Sequence, residues 1–206
     1  AVRQEGPAPS VLFTGCVARA LDSEAHAAIL RLARCCQLDL TPLANQSCCG
    51  ALARHVGART EATELVTRNA ANWSRASTVD LVALDSACIA ALRQQPSGVR
   101  VIEACRWLLD RQPSWTTQLR SIPQRIGLFL PCSHRHSVRD VNAPALLLSA
   151  LPGVMVVPIN TGFGCCGAAG PHVLAHSEQA DALAEPIVYD TSKLDLDAIA
   201  ISNVGC

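Results

Sequence analysis

The sequence predicts an α/β fold of two pseudo-symmetric repeats, each a small parallel sheet flanked by helices. Short apolar runs alternate with segments of helical periodicity along the chain, an order typical of parallel strands joined by right-handed crossovers. The tripeptide Cys-Cys-Gly also occurs twice, at residues 48–50 and 165–167, and similar elements surround each copy in the same order. An internal repeat explains both observations.

Three apolar runs in the first half are predicted strands, and each ends shortly before a cysteine. They cover residues 10–15, 38–43 and 79–84. Apolar positions at helical spacing predict helices over 24–36 and 60–75, a third that begins near Cys88, and a fourth over 102–111. We assign the first repeat to residues 1–111, with a loose lead-in over 1–9.

The same pattern restarts after a predicted linker over 112–124, which contains two prolines. The predicted strands of the second half are 125–130, 154–159 and 198–202, and the predicted helices are 144–150 and 177–189. Pro186 is expected to bend or break the last helix. We assign the second repeat to residues 125–206. We expect it to be truncated at its C-terminus, as an excerpt of a longer polypeptide.

Eight of the 11 cysteines fall into two sets of four with nearly the same spacing. The first cysteine set is Cys16, Cys48, Cys49 and Cys88, and the second cysteine set is Cys132, Cys165, Cys166 and Cys206. Each single cysteine or pair follows the end of a different predicted strand. Because the C-terminal ends of parallel strands share one edge of a sheet, each set is expected to gather there. Glycine after each pair permits a positive φ and close backbone approach to a bulky cofactor.

Four gathered thiols are a candidate ligand set for a metal centre. Iron–sulfur clusters are held by thiolates that can be widely scattered in sequence, and a [4Fe–4S] cluster takes four. Structural zinc sites favour cysteines two to four residues apart, and disulfide frameworks favour smaller secreted chains. We therefore predict that the eight cysteines bind iron–sulfur clusters of the [4Fe–4S] type, in one or both sets. A structural protein stapled by zinc or disulfides is the alternative.

The cysteines and histidines outside this pattern carry weaker signals. Cys35, Cys36 and Cys105 have no counterpart in the other half, so we expect them in the core, where free cysteine is common. His134 and His136 follow Cys132. Both are expected to be surface or capping residues. The alternatives are a hydrogen bond to a cluster sulfur, replacement of a ligand, or proton transfer near a quinone.

Two further histidines and three arginines lie close to the proposed ligands in sequence. His55 and His172 follow the two cysteine pairs and are candidates to support the sites without binding metal. Arg19, Arg54 and Arg135 could offset the negative charge of a thiolate-bound cluster. We expect them instead to be ordinary solvated side chains.

Composition and missing motifs exclude several other functions. Lys plus Arg equals Asp plus Glu at 17 each, so the chain lacks the basic excess typical of nucleic-acid binding. It contains no apolar run long enough for a membrane span and no signal peptide at its start. We expect a cytoplasmic location, with peripheral attachment to the inner membrane as an alternative. Phosphate-binding and dinucleotide-binding glycine motifs are also missing, so any flavin or nicotinamide would belong to another subunit.

These motifs resemble the cysteine-rich CCG domain family, with two copies covering nearly the whole chain. The resemblance is greatest to the iron–sulfur subunit of glycolate oxidase, and extends to the disulfide-reducing subunit of heterodisulfide reductase and to lactate-utilisation iron–sulfur proteins. It is carried by residues 48–57 (CCGALARHVG), 165–170 (CCGAAG) and 203–206 (NVGC). The heterodisulfide reductase subunit has Cys-x-x-Cys at the last position of a repeat, whereas Ala91 stands three residues after Cys88. The fifth thiolate of a noncubane cluster is therefore missing from the first half.

The resemblance implies an electron-transfer component of an oxidoreductase. Such a subunit passes electrons from a flavoprotein dehydrogenase that oxidises a 2-hydroxy acid, such as glycolate or lactate, towards a quinone or another carrier. A ferredoxin-like domain or subunit is the other implied partner. The alternative implied by the same family is catalytic and resembles heterodisulfide reductase, with a noncubane cluster in the second half reducing a disulfide directly.

Overall fold

The computed structural model of the chain describes residues 9–73, 80–94, 99–111, 119–159 and 164–206. In the first half the strands are β1 (Ser10–Phe13), β2 (Leu40–Pro42), β3 (Asp80–Ala83) and β4 (Val101–Glu103). The helices are α1 (Val17–Leu21), α2 (Ser23–Cys35), α3 (Ala51–His55), α4 (Arg59–Trp73), α5 (Ser86–Arg93) and α6 (Ala104–Leu109). Most of the predicted lead-in and part of the predicted linker lie outside the described residues.

The second half follows the same order of elements. Its strands are β5 (Gln124–Phe129), β6 (Val154–Pro158) and β7 (Ala198–Ile201). A π-helix (His134–Val138) precedes the helices α7 (Ala143–Ser149), α8 (His172–Ala175) and α9 (Ser177–Ser192).

Each half forms its own parallel sheet, and the two sheets share a topology. In the described chain the strand orders are β2-β1-β3-β4 and β6-β5-β7, so the second sheet repeats the first three positions of the first. The registers agree as well: Leu12 of β1 pairs with Pro42 of β2, and Leu128 of β5 pairs with Pro158 of β6. The predicted α/β fold of two parallel-sheet repeats is confirmed.

The prediction of one helix over 102–111 is wrong at its start. Val101–Glu103 is strand β4, which pairs with β3 and is buried along its length. The helix begins only at Ala104, where the Glu103 carboxylate accepts a hydrogen bond from the Arg106 amide and caps it. A three-residue strand is too short to show a periodicity of its own. Because β4 leads directly into α6, most of it was assigned to the helix.

Of the predicted bend or break at Pro186, the break is wrong. Helix α9 continues through Pro186 to Ser192. Proline removes one hydrogen-bond donor from a helix but leaves the remaining bonds in place, and most of α9 is exposed to solvent.

The core belongs largely to the first repeat. Two buried clusters flank its sheet, and Trp107 of α6 is buried in one of them, where its indole Nε1 donates to Ser10 Oγ at 2.9 Å. The second repeat contributes Val138 to one cluster, and Leu147 and Ala150 pack against the other. Apolar packing therefore joins the two repeats.

The second sheet is less covered than the first. Strand β3 is buried at every position, whereas its counterpart β7 is mostly exposed. Met155 of β6 and Ile199 and Ile201 of β7 keep 54%, 49% and 43% of their surface accessible. In the part of the chain that the structure describes, no helix has both the length and the apolar character to cross a membrane.

Candidate functional site

The first cysteine set gathers at the C-terminal edge of the first sheet. Cys16 lies between β1 and α1, the Cys48–Cys49 pair lies between β2 and α3, and Cys88 lies in the first turn of α5, after β3. The Cys16 thiol donates to Cys48 Sγ at 3.1 Å, and the Cys49 thiol donates to Cys88 Sγ at 3.2 Å. The thiols of Cys48 and Cys49 also interact with each other. The four sulfur atoms thus form one continuous row.

Two thiols of this row, those of Cys16 and Cys49, hold their protons tightly. The hydrogen bond to Cys48, followed by burial, raises the pKa of Cys16 well above that of an ordinary thiol. For Cys49 the bond from Cys48 lowers the pKa, but the bond to Cys88 and burial outweigh it, and the net shift is upward. Because a metal takes the thiolate, binding at this set would release protons.

Two polar side chains fasten the loops that carry these cysteines. Gln46 Oε1 accepts from the Thr14 amide at 2.8 Å, which ties the Cys16 loop to the Cys48 loop. Asn69 of α4 is fully buried, and its Nδ2 donates to the Cys48 carbonyl at 2.9 Å. We predicted neither role from the sequence. The available signal was an asparagine on the apolar stripe of a helix, since a buried amide needs hydrogen-bond partners.

The glycine after each pair lies against the backbone of the next long helix. Gly50 has φ +81° and Gly167 has φ +75°, so the predicted positive φ is confirmed at both. A Cβ at Gly50 would lie 3.2 Å from the Ala62 carbonyl oxygen on α4, and one at Gly167 would lie 2.5 Å from the Ala180 carbonyl oxygen on α9. The structure therefore shows a second reason for glycine: it lets the cysteine loop pack onto the helix.

The second cysteine set lies at the equivalent edge of the second sheet. Cys132 follows β5, the Cys165–Cys166 pair follows β6, and Cys206 follows β7. The Cys166 and Cys206 sulfur atoms are 2.6 Å apart. Cys132 lies within electrostatic range of Cys165, Cys166 and Cys206.

The two partners in the Cys166–Cys206 pair differ in acidity. The hydrogen bond between the two thiols lowers the pKa of Cys166 to about 6, and the same bond raises the pKa of Cys206. The bond therefore favours the thiolate form of Cys166, which is the form that binds soft metals.

Arg135 belongs to the second site, which corrects the expectation that it is an ordinary solvated side chain. Its Nη2 donates to the Gly164 carbonyl at 2.8 Å, directly before the cysteine pair. Its charge also opposes the upward pKa shift that burial and Cys165 cause at Cys132. Arg19 and Arg54 are exposed, and Arg54 hydrogen-bonds the side chain of Gln94.

His134 is buried, so the expectation of a surface or capping residue is wrong for it. It has no accessible surface; Nδ1 lies 2.8 Å from Ser202 Oγ and Nε2 lies 3.0 Å from the Asp140 carbonyl oxygen. These contacts join the π-helix to the end of β7 and hold the segment that follows Cys132. His136 is exposed.

The cysteines outside the two sets divide between core and surface. Cys36 is buried and Cys105 is half-buried, whereas Cys35 is exposed, so the core expectation is wrong for Cys35. Cys35 is the last residue of α2 and faces solvent there. Burial raises the pKa of Cys105, which makes it a poor nucleophile.

His55 and His172 lie in different settings. His55 Nδ1 is close to Gly170, where a Cβ would come within 2.9 Å, so α3 of the first repeat touches the second cysteine loop. His172 begins α8 and packs near His176, with 4.8 Å between ring centroids.

The donor atoms of both sets suit an iron–sulfur cluster. Each set supplies four thiols, and the Gly50 amide donates to Cys48 Sγ at 3.4 Å, the kind of bond that tunes a cluster. No three side chains of His, Cys, Asp or Glu converge on a single metal ion within the ranges that the structure covers. In a cluster each thiolate binds its own iron, so convergence on one point is not required.

The family profile of the cysteine-rich domain CCG matches residues 10–93 and again residues 126–206. The chain belongs to the CCG cysteine-rich domain family. Each CCG match contains one complete cysteine set, and the predicted resemblance to this family is confirmed. CCG domains are found in subunits of iron–sulfur oxidoreductases, and their presence suggests metal or iron–sulfur binding. A search of the curated proteins finds no match to the chain.

Proposed function

We propose that each CCG repeat holds one iron–sulfur cluster and that the chain is an electron-transfer subunit or domain of an oxidoreductase. The supporting observation is the row of four thiols in the first set, whose members come from three separate strand ends. The second set also comes from three strand ends, and within it the sulfur atoms of Cys166 and Cys206 are in contact. When bound, a cluster accepts and passes on one electron at a time.

The residues around each set would hold and tune that cofactor. All eight cysteines would act as thiolate ligands, four per [4Fe–4S] cluster. Cys49 is only 2% exposed, and this burial keeps water from one of the four ligands of the first site. The Gly50 N–H donates to a thiol of the first set, and the Arg135 guanidinium places a positive charge near Cys132 of the second set. Both would favour the reduced cluster.

The number of thiols in the first set favours a cubane cluster over a noncubane one. Ala91 lies one turn after Cys88 on α5 and is only 5% exposed. It provides no further thiolate at the point where the disulfide-reducing relatives carry one. At the first set, electron transfer is therefore better supported than direct disulfide reduction.

The proposed donor is a flavoprotein dehydrogenase that oxidises a 2-hydroxy acid such as glycolate or lactate. The proposed acceptor is a quinone or another carrier, reached directly or through a ferredoxin-like domain. The proposed location is the cytoplasm, with peripheral attachment to the inner membrane when a quinone is the acceptor.

Anaerobic purification followed by redox titration tests this function. The protein should be brown, dithionite should bleach its visible absorption, and a water-soluble quinone should restore it. Restoration by an organic disulfide but not by the quinone would overturn electron transfer in favour of disulfide reduction. A colourless protein with stoichiometric zinc, even after incubation with iron and sulfide, would overturn the iron–sulfur role altogether.

A further inference from the structure

The carboxylate of Asp85 holds the turn that presents Cys88. Asp85 is the N-cap of α5, and its Oδ1 accepts from the Ala87 amide at 2.9 Å and from the Cys88 amide at 3.1 Å. A side chain that caps a helix in this way satisfies amides that have no partner within the helix. Oδ1 therefore serves the last cysteine of the first set.

The other oxygen of the same carboxylate serves the second set. Asp85 Oδ2 accepts from the Val204 amide at 3.0 Å. Val204 is the second residue of the turn that presents Cys206, which is closed by a bond from the Cys206 amide to the Asn203 carbonyl at 3.1 Å. A residue of the first repeat is thus part of the support for a cysteine of the second.

Hydroxyl and amide groups around Asp85 reinforce this link. Ser86 is fully buried; its amide donates to the Ser202 carbonyl at 2.8 Å and its Oγ lies 2.7 Å from Ser133 Oγ. Asn203 Nδ2 donates to Ser133 Oγ at 3.3 Å and to Ser86 Oγ at 3.4 Å. Ser133 directly follows Cys132, so the turns of three cysteines meet in one polar network.

The two repeats have different residues at the position three before their last cysteine, Asp85 and Asn203. This difference allows Asp85 to bond to the second repeat. Asp85 and Asn203 each stand three residues before the last cysteine of their set, and each accepts from the amide two residues ahead. The carboxylate has a second acceptor, which meets the Val204 amide. The carboxamide has a donor instead, which meets the two serine hydroxyls.

We propose that Asp85 is a positioning residue shared by both cysteine sets, so that the second set depends on the first repeat for the placement of Cys206. The consequence for a bound cluster rests on the proposed function. The placement of the thiols themselves does not, because all of these contacts are made within the polypeptide.

Two substitutions remove the Asp85–Val204 bond from opposite sides. Asp85→Asn keeps one oxygen for the α5 cap, since asparagine caps helices as well as aspartate, but turns an NH₂ group towards the Val204 amide. Val204→Pro deletes the amide hydrogen and leaves the Asp85 charge in place. Proline is favoured at the second position of a type I turn, and Gly205 after it has no positive φ, so the turn should survive.

Site-resolved alkylation of the reduced, metal-free chain, read by mass spectrometry, tests the proposal. Either substitution should raise the alkylation rate of Cys206 by about tenfold or more, the effect of losing one hydrogen bond to a charged group. The rates of Cys16 and Cys48 should stay within about twofold of the parent values. The double variant should equal the single ones, because both remove the same bond.

Two results would overturn the proposal. One is an unchanged Cys206 rate in Val204→Pro, which would leave only the charge of Asp85 to explain any effect of Asp85→Asn. The other is an equal rise at all eight cysteines, which would indicate general unfolding. Asp85→Ser, which keeps a capping hydroxyl too short to reach Val204, must repeat the Asp85→Asn pattern. A chain that never takes up iron but shows the selective Cys206 response would refute the proposed function and support this inference.

Discussion

At the scale of single residues, the glycine of each Cys-Cys-Gly tripeptide combines two constraints. Gly50 and Gly167 adopt a positive φ and face the carbonyl oxygens of Ala62 and Ala180. The first constraint orients the two thiols of a pair, and the second sets how closely the loop approaches the helix. An L side chain conflicts with both.

Gly167→Ala separates the two constraints when it is compared with Gly57→Ala. Gly57 also has a positive φ, at +80°, but a Cβ there meets nothing within 4 Å. Gly57→Ala should therefore lower the free energy of unfolding by about 1–2 kcal/mol, the cost of the left-handed conformation alone. Gly167→Ala should lower the free energy of unfolding by about 1–3 kcal/mol more, because its Cβ would also overlap the α9 backbone.

Urea unfolding monitored by circular dichroism measures both losses. The expected order is a clearly larger loss for Gly167→Ala than for Gly57→Ala. Equal losses would show that contact with the α9 backbone does not constrain Gly167.

Individual site residues could be predicted from sequence where their spacing occurs in both repeats, and could not where it occurs only once. The eight cysteines stood out because two sets share one pattern. Asn69, Gln46 and Asp85 did not, since each acts through a backbone group far away in the sequence. Burial of His134 was equally hidden, because its partners, Ser202 and Asp140, lie in other segments.

At the scale of elements, most strands and the long helices were predictable, whereas the shortest helices were not. The helices α2, α4 and α9 and the strands β1, β3 and β5 agree with the predicted segments to within a few residues. Helices α1 and α3 have five residues each, too few to show a periodicity of 3.6. The π-helix was not predicted either, since its identity is a matter of backbone hydrogen bonds rather than of residue pattern.

One ion pair links an element of the first repeat to the second. Arg106 of α6 donates from Nε and Nη2 to the two carboxylate oxygens of Asp140, at 2.6 and 3.1 Å. Asp140 precedes α7, and its carbonyl lies within hydrogen-bond distance of buried His134. The Arg106 hydrogen bonds lower the pKa of Asp140.

Asp140→Asn should lower the free energy of unfolding at neutral pH by about 1–2 kcal/mol, because it removes a half-buried bidentate pair. A carboxylate with a lowered pKa stabilises the folded chain fully above its unfolded pKa of about 3.9, and this contribution is lost as the pH falls through the lower folded value. The difference between parent and variant should therefore shrink below about pH 4.

Asp110→Asn is the matched control for this prediction. Asp110 also faces Arg106, at 3.6 Å, but it is more exposed, so its loss should cost less than about 0.5 kcal/mol. Chemical denaturation at pH values from neutral to acidic checks both. If the difference in free energy of unfolding between the parent and Asp140→Asn stayed the same at the most acidic pH, it would not depend on ionisation of Asp140.

At the scale of the whole molecule, two repeats of similar topology are unequal in packing. The buried clusters flank the first sheet, while Val138, Leu147 and Ala150 bring the second repeat against them. The repeat, and the sheet edge that carries the cysteines, could be predicted from sequence. Both follow from the repeated cysteine spacing and from the alternation of strands and helices along the chain. The contacts between the repeats did not, since they join serine, asparagine and arginine side chains that have no distinctive spacing.

The proposed function depends most on each repeat holding a cluster through its own four thiolates. Iron and acid-labile sulfide should be measured, after anaerobic reconstitution, in the parent chain and in Cys48→Ser, Cys165→Ser and the double variant. Cys35→Ser is the control, because Cys35 is exposed and lies outside both sets. Each single variant should lose about half of the iron and sulfide, the double variant nearly all, and the control none. Iron content that is unchanged in either Cys48→Ser or Cys165→Ser would show that the corresponding repeat holds no cluster.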